Sequence, residues 1–226
     1  EYSTVIPETI TWEGEIATVK IPTFDIGYSQ ANVSKLMGEA MKAKGVILDL
    51  RSNGGGRVIN LQHLAGFFLD TQAEPMGTFV GRQNLVAYEK ETGKAGASIK
   101  EIAEFTKAKV RAAKASTGPY RGPVSVLING GSGSASEMMA AGLREQRGAY
   151  LVGSRSAGAV LASVMAPIAE VKGYTLQLPL LDYVTIKGHR LEGNGLVPDA
   201  EAPIARFGET DKAVVTATNW LKSKAK

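Results

Sequence analysis

The sequence predicts an α/β fold with a mostly parallel central sheet, and three observations carry that prediction. Two continuous apolar runs, VILDL at 46–50 and GPVSVLIN at 122–129, each lead directly into a glycine-bearing loop. Apolar runs without alternation belong to strands covered on both faces, as in a parallel sheet between helices. The third observation is order. Strand-like and helix-like segments alternate along the 226 residues, as right-handed strand–helix–strand crossovers require.

Each element has its own local reason. EIATVKIPTF at 15–24 alternates apolar and polar residues and reads as a strand. SQANVSKLMGEAMKAKG at 29–45 places Val33, Leu36, Met37 and Ala40 on one helical face, with Gly45 expected to stop the helix. After the buried strand 46–50 and its glycine loop, LQHLAGFFLD reads as helix. GTFVGR and LVAYEK read as a pair of short strands, and the charge-rich 98–114 as a helix. The second buried run, 122–129, leads into a helix that opens near Ser134, and AYLVG at 149–153 is a third strand. YTLQLPLLDYVT at 174–185 reads as one long or bent strand, followed by a glycine- and proline-punctuated loop. TDKAVVTATNWLKSKAK closes the chain as a helix. One domain, 1–226, is expected, with about 71–121 as the segment where an insertion or lid would sit.

Composition removes several function classes. There are no cysteines, which excludes a disulfide scaffold, a thiolate nucleophile and thiolate-bound zinc. Only two histidines, His63 and His189, argue against a histidine-rich metal site, and no cofactor is expected. No apolar run approaches the roughly 18–20 residues of a membrane span. The net charge of +4 gathers at 107–121 and at the LKSKAK tail. Without aromatic interleaving this reads as solvated surface, not a nucleic-acid site. The opening Glu1, without a methionine or a leader, suggests a processed protein or an excised piece.

The chemistry concentrates in NGGSGSASEMMAAGLREQ, 129–146. Ser134 followed by Glu137 is a capping box, in which the hydroxyl accepts from the first turn and the glutamate reaches back. A helix N-terminus also suits a nucleophile, because its unpaired N–H groups stabilise an alkoxide and a developing oxyanion. The loop after 46–50 carries Gly54-Gly55-Gly56. Both loops follow strands of one open sheet, so they are expected to meet at its carboxyl edge. Neither phosphate-loop signature is present, and Asp49 and Arg51 read as structural partners that fix the first loop.

KGVILDLRSNGGG, then VSVLINGGSGSASEMMAAGLREQRGAYLVGSRSAG, then LEGNGLVPD together resemble the catalytic core of the carboxy-terminal processing peptidases and tricorn protease, over about residues 15–205. The resemblance implies a crotonase-like fold of stacked ββα units. It implies a serine peptidase acting on a polypeptide substrate, with Ser134 as nucleophile. The oxyanion hole would pair the Ala135 N–H with one from Gly54 or Gly55. A homo-oligomer is left open. The location would be exported bacterial for the processing type and cytoplasmic for the tricorn type.

The departures from the family pattern bear on the base. The lysine of the processing peptidases falls on Ala159, and its supporting glutamine on Ser163. A methyl group accepts no proton, so the serine–lysine mechanism does not run on this chain as written. Lys172 and Lys187 lie outside the motif. The tricorn branch uses a histidine with a glutamate, and that glutamate falls on Glu192, three residues before Gly195. The resemblance therefore implies a Ser–His–Glu site in which a region upstream, carrying helical and PDZ parts, supplies the histidine. His63 and His189 are weaker candidates for that base. The alternatives are a catalytically inactive peptide- or ligand-binding module on the same fold, or a serine–lysine enzyme inactivated by a lysine-to-alanine change at 159.

Overall fold

The computed structural model describes residues 6–169, 171, 173–205 and 208–224. In chain order its elements are β1 (Thr9–Glu13), β2 (Ile16–Lys20), α1 (Gln30–Ala40), β3 (Gly45–Asp49), α2 (Val58–Ala65), β4 (Gly77–Val80), α3 (Arg82–Thr92) and α4 (Ile99–Phe105). They continue with β5 (Val124–Ile128), α5 (Ala135–Arg147), β6 (Tyr150–Gly153), β7 (Ala162–Pro167), β8 (Thr175–Thr185), β9 (Ala200–Glu201) and α6 (Lys212–Lys224). The central sheet runs β1-β2-β3-β5-β6-β9. β1 is antiparallel to β2, and every other neighbouring pair is parallel. The α/β class with a mostly parallel sheet is therefore the observed one.

The continuous apolar runs have the expected cause. Successive residues of β3 face opposite layers: Val46 and Leu48 pack with Val33 and Met37 of α1 and Leu61 of α2, whereas Ile47 packs with Ala217 and Leu221 of α6. Both faces are covered, so a polar side chain there needs a partner, as Asp49 has in Arg51. α1 buries Val33, Leu36, Met37 and Ala40, and Ser29 caps it by accepting from the Asn32 N–H at 3.2 Å. It ends at Ala40, not at Gly45. Gly45 instead opens β3 where α6 crosses the sheet: a Cβ there would meet Ile16 Cδ1 at 2.9 Å and Leu221 Cβ at 3.1 Å.

Other local expectations also change. LVAYEK lies inside α3, whose start is held by Asn84 Oδ1 accepting from the Gly81 N–H at 2.9 Å and whose end is Gly93 at φ 70°. End signals of this kind outweigh the β-branched and aromatic content between them. The helix read over 98–114 shrinks to α4. Beyond it, Val110 pairs with the strand start at Gly77, donating to Gly77 O at 2.8 Å and accepting from the Met76 N–H at 2.9 Å. The helix read at LQHLAGFFLD begins earlier, at Val58, and ends at Ala65.

The 71–121 stretch is tied down along its length. β4 pairs with β8 in a second sheet ordered β4-β8-β7, and Ile102 and Ala103 of α4 pack on Val80 and Val184. Gln62 donates to Arg111 O at 3.0 Å, and the Tyr120 hydroxyl donates to Ala43 O at 3.0 Å. No helix among the described residues is long and apolar enough to cross a membrane. Among those residues no cluster of three or more His, Asp or Glu side chains forms a metal-binding group.

Candidate active site

The loops after β3 and β5 both carry Asn-Gly-Gly, at 53–55 and at 129–131, and the two asparagines do the joining. Asn53 Nδ2 donates to Ile21 O at 2.8 Å, and its Oδ1 accepts from the Gly55 N–H at 2.9 Å. The Asn53 carbonyl accepts from the Gly133 N–H at 3.0 Å and from Ser136 Oγ at 2.8 Å. Asn129 Oδ1 takes the N–H groups of Ser52, at 2.8 Å, and Gly131, at 3.0 Å. Arg51 bridges Asp49, through Nη2 at 2.7 Å, to Asp211 before α6, through Nη1 at 2.8 Å. Asp49 and Arg51 therefore fix the loop, as expected.

Ser134 sits at the junction in a strained backbone, φ 50° and ψ −116°, and is half-buried. Few non-glycine residues adopt positive φ, and those that do cluster at functional sites. The capping-box expectation holds only in half. Glu137 Oε2 accepts from the Ser134 N–H at 3.2 Å, but the Ser134 hydroxyl makes no cap hydrogen bond. Among the described residues no side chain hydrogen-bonds that hydroxyl. The Ser134 N–H is held by Glu137 and by Ala159 O, and the hydroxyl is left available.

The triple-glycine turn packs directly on this serine. A Cβ at Gly55, where φ is 101°, would meet Ser134 Cβ at 2.6 Å, Gly133 O at 2.9 Å and Ala135 N at 3.0 Å. The Ala135 N–H opens α5 without an acceptor among the described residues. The glycine amides differ from one another. Gly55 gives its N–H to Asn53 Oδ1. The Gly54 N–H lies across its peptide plane from the Asn53 carbonyl, which points at Gly133 and Ser136, so this N–H turns away from Ser134. Gly56 pairs with Phe24 in a parallel bridge in which Phe24 donates to Gly55 O and Arg57 donates to Phe24 O. Gly56's own N–H therefore points to the side of the turn opposite Phe24. The Gly55 N–H is thus engaged, whereas the Gly56 N–H has no acceptor among the described residues.

Glu137, fully buried, holds the next segment against the serine. Its Oε1 accepts from Ser156 Oγ at 2.5 Å and from the Gly158 N–H at 2.8 Å, and its Oε2 accepts from the Ala159 N–H at 2.9 Å. Ala159 O in turn accepts from the Ser134 N–H at 2.8 Å. Glu192 lies one residue further along, where its Oε2 accepts from the Val160 N–H at 2.7 Å. Asn53, Ser136 and Glu137 were not singled out for these joining roles by the sequence reading. The repeated Asn-Gly-Gly was the available signal for the first.

Residues 15–202 match peptidase family S41. The chain belongs to that family. A carboxy-terminal-processing protease of Bartonella bacilliformis is 31% identical over 159 residues, 70% of this S41 chain and 31% of the relative. A tail-specific protease of Haemophilus influenzae is 30% identical over 145 residues, 63% of this chain and 17% of that protein. The chain thus spans a third or less of the length of these two relatives. Among solved structures, a photosystem II D1 C-terminal processing protease superposes with a TM-score of 0.66 at 22% identity, covering 90% of this chain and 50% of that one. The tricorn protease superposes with 0.63 at 16% identity, covering 94% and 18%. These likenesses show the fold.

In this S41 chain Ala159, where the resemblance expects the processing-peptidase lysine, accepts from the Ser134 N–H through its carbonyl and ends in a methyl. His63 does not reach the site: its Nδ1 meets the Tyr28 hydroxyl at 2.8 Å and its Nε2 meets Ser34 Oγ at 3.1 Å, between α1 and α2. His189 Nδ1 meets Glu145 Oε1 at 2.9 Å, and the Lys187 N–H donates to Glu145 Oε2 at 3.0 Å. Glu145 lies three turns along α5 from Ser134, about 16 Å at 1.5 Å per residue. Lys172 lies outside the described residues.

Two measurements test this account of the S41 site. Gly55→Ala should destabilise the protein by about 2–4 kcal/mol in urea unfolding, because the new methyl meets the Ser134 Cβ and the residue keeps a positive φ. Gly54→Ala, whose Cβ meets nothing within 4 Å, should change stability by less than about 0.5 kcal/mol. The second concerns pH. Burial pushes the His63 imidazole below its ordinary value. The unfolded chain then binds the extra proton first as pH falls below about 6.5, so His63 stabilises the fold above that pH and the contribution is lost on acidification. The urea midpoint should fall between pH 7.5 and 5.5, and the fall should shrink in His63→Gln.

Proposed function

We propose that this chain is the catalytic part of a serine endopeptidase that hydrolyses polypeptides through an acyl-enzyme on Ser134. The observation that carries the reading is the strained Ser134 packed on the glycine turn, its Cβ 2.6 Å from where a Gly55 Cβ would lie, with an unengaged Ala135 N–H beside it. Ser134 Oγ bonds to the substrate carbonyl carbon as its proton passes to the base, and the C=O pair moves onto oxygen. The N–H groups of Ala135 and Gly56 receive that oxyanion, and one such donor is worth about 3 kcal/mol. Collapse breaks the C–N bond, the amine leaves with the proton, and water repeats the sequence to free the acid.

The base is an imidazole brought by sequence or a partner outside the described residues, oriented by Glu192. Glu192 Oε1 has no hydrogen-bond partner among the described residues, which suits that task. The exported bacterial location is favoured by the likeness to bacterial processing proteases. The second reading, a binding module without turnover, rests on Ala159 standing at the lysine position. The test uses protein from its own source, with whatever sequence flanks these residues, and an unfolded polypeptide substrate. Cleavage and fluorophosphonate labelling that both vanish in Ser134→Ala support the enzyme. Substrate binding without cleavage in either form supports the module.

A further inference from the structure

We infer that Glu137 is a positioning residue: its buried carboxylate registers the nucleophile against the loop that carries Glu192. The inference rests on the peptidase reading and adds to it a residue that touches no substrate. Glu137 is fully buried, and all four of its hydrogen-bond partners are donors. One of them, the Ser134 N–H, belongs to the strained residue itself. The other three, Ser156 Oγ and the N–H groups of Gly158 and Ala159, lie within four residues of the facing segment.

That segment hands the constraint on. Ser156 Oγ, besides donating to Glu137, accepts from the Leu196 N–H at 2.6 Å. Gly158 O accepts from the Gly193 N–H at 2.9 Å, and the Val160 N–H donates to Glu192. Gly195 packs against Ser156 so closely that a Cβ there would meet Ser156 O at 2.7 Å. Every link between Ser134 and the 192–196 loop named here passes through residues 156–160, and Glu137 clamps those residues to the start of α5. A carboxylate is the side chain suited to this place, because two oxygens offer about four acceptor sites and no proton that would oppose the four donors.

The acid is thus part of how the site is built, which gives the last letter of Ser-Ala-Ser-Glu a task apart from helix capping. Errors of about 1 Å between reacting groups cost on the order of 100-fold in rate. Loss of the clamp should therefore act on turnover more than on substrate binding.

Three variants of the protein from its own source test this: Glu137→Gln, Ser156→Ala and Ser134→Ala. Gln keeps the shape but turns an amide N–H₂ toward donors. Ala at 156 removes one partner and leaves the three N–H groups on the carboxylate. Active sites are counted by fluorophosphonate titration, so unfolded molecules drop out of the rate. The expected result is a kcat per titrated site lowered about 100-fold in Glu137→Gln and about 10-fold in Ser156→Ala, with KM unchanged within twofold. Amide exchange at Gly158, Ala159 and Leu196 should quicken in both. Per-site kcat within twofold of the parent, or unchanged exchange at those amides, overturns the inference. Should Glu137→Gln fail to fold, Ser156→Ala alone decides it. Activity that survives Ser134→Ala overturns the peptidase reading instead, and the exchange measurement then still judges the clamp.

Discussion

Ser134→Gly should abolish hydrolysis and, in the same protein, raise stability by about 1 kcal/mol relative to Ser134→Ala. The two effects share a cause. At φ 50° and ψ −116° a side chain is held in a region that glycine enters freely and other residues do not. Relief of that strain is worth about 1–3 kcal/mol, offset by roughly 0.5–1 kcal/mol for the extra freedom glycine has when unfolded. Alanine keeps the strain and loses only the hydroxyl, which makes no hydrogen bond with any side chain among the described residues, so it should sit within about 0.5 kcal/mol of the parent. For a chain of this size the glycine variant should melt about 2–4 °C above the alanine variant. A glycine variant no more stable than the alanine one would mean that the backbone at 134 carries no strain, and the geometric argument for a nucleophile would lose its main support.

Glu137→Leu should be the most destabilising single change in the site, costing about 3–5 kcal/mol in urea unfolding. Leucine fits the volume but accepts nothing. Ser156 Oγ and the N–H groups of Gly158 and Ala159 would each lose the carboxylate, while the Ser134 N–H would keep Ala159 O. Each buried donor left without an acceptor costs about 1–3 kcal/mol. Leu also cannot relax toward solvent, since the side chain it replaces is fully buried. Glu137→Gln retains one accepting oxygen and should lose about half as much. Equal stability of the leucine variant and the parent would show that water replaces the carboxylate, and that residues 156–159 are not clamped.

Much of this was legible in the amino-acid order, for identifiable reasons. The parallel sheet followed from VILDL and VSVLI, because a strand buried on both faces favours an apolar run over alternation. α1 and its buried face followed from periodicity. Elements whose form comes from pairing and not from burial of their own side chains are not visible in the pattern. β1 was overlooked because its residues stay largely exposed and its pairing with β2 supplies the strand. β7 is a strand only by pairing with β8. The stretch after α4 is drawn out by its pairing at Gly77, against a helix-forming composition.

The sequence by itself determined the α/β class, the meeting of two glycine loops at one sheet edge, and Ser134 as the candidate that all else surrounds. Each of these rests on local pattern, which is contained in a short run of residues. Only the tertiary structure decided that the Gly55 amide is taken by Asn53, that His63 and His189 are engaged elsewhere, and that Glu137 binds Ser156, Gly158 and Ala159. Those outcomes depend on which hydrogen-bonding groups a neighbouring strand has already claimed, and a chain settles that only once the sheet has brought residues far apart in sequence within 3 Å of one another.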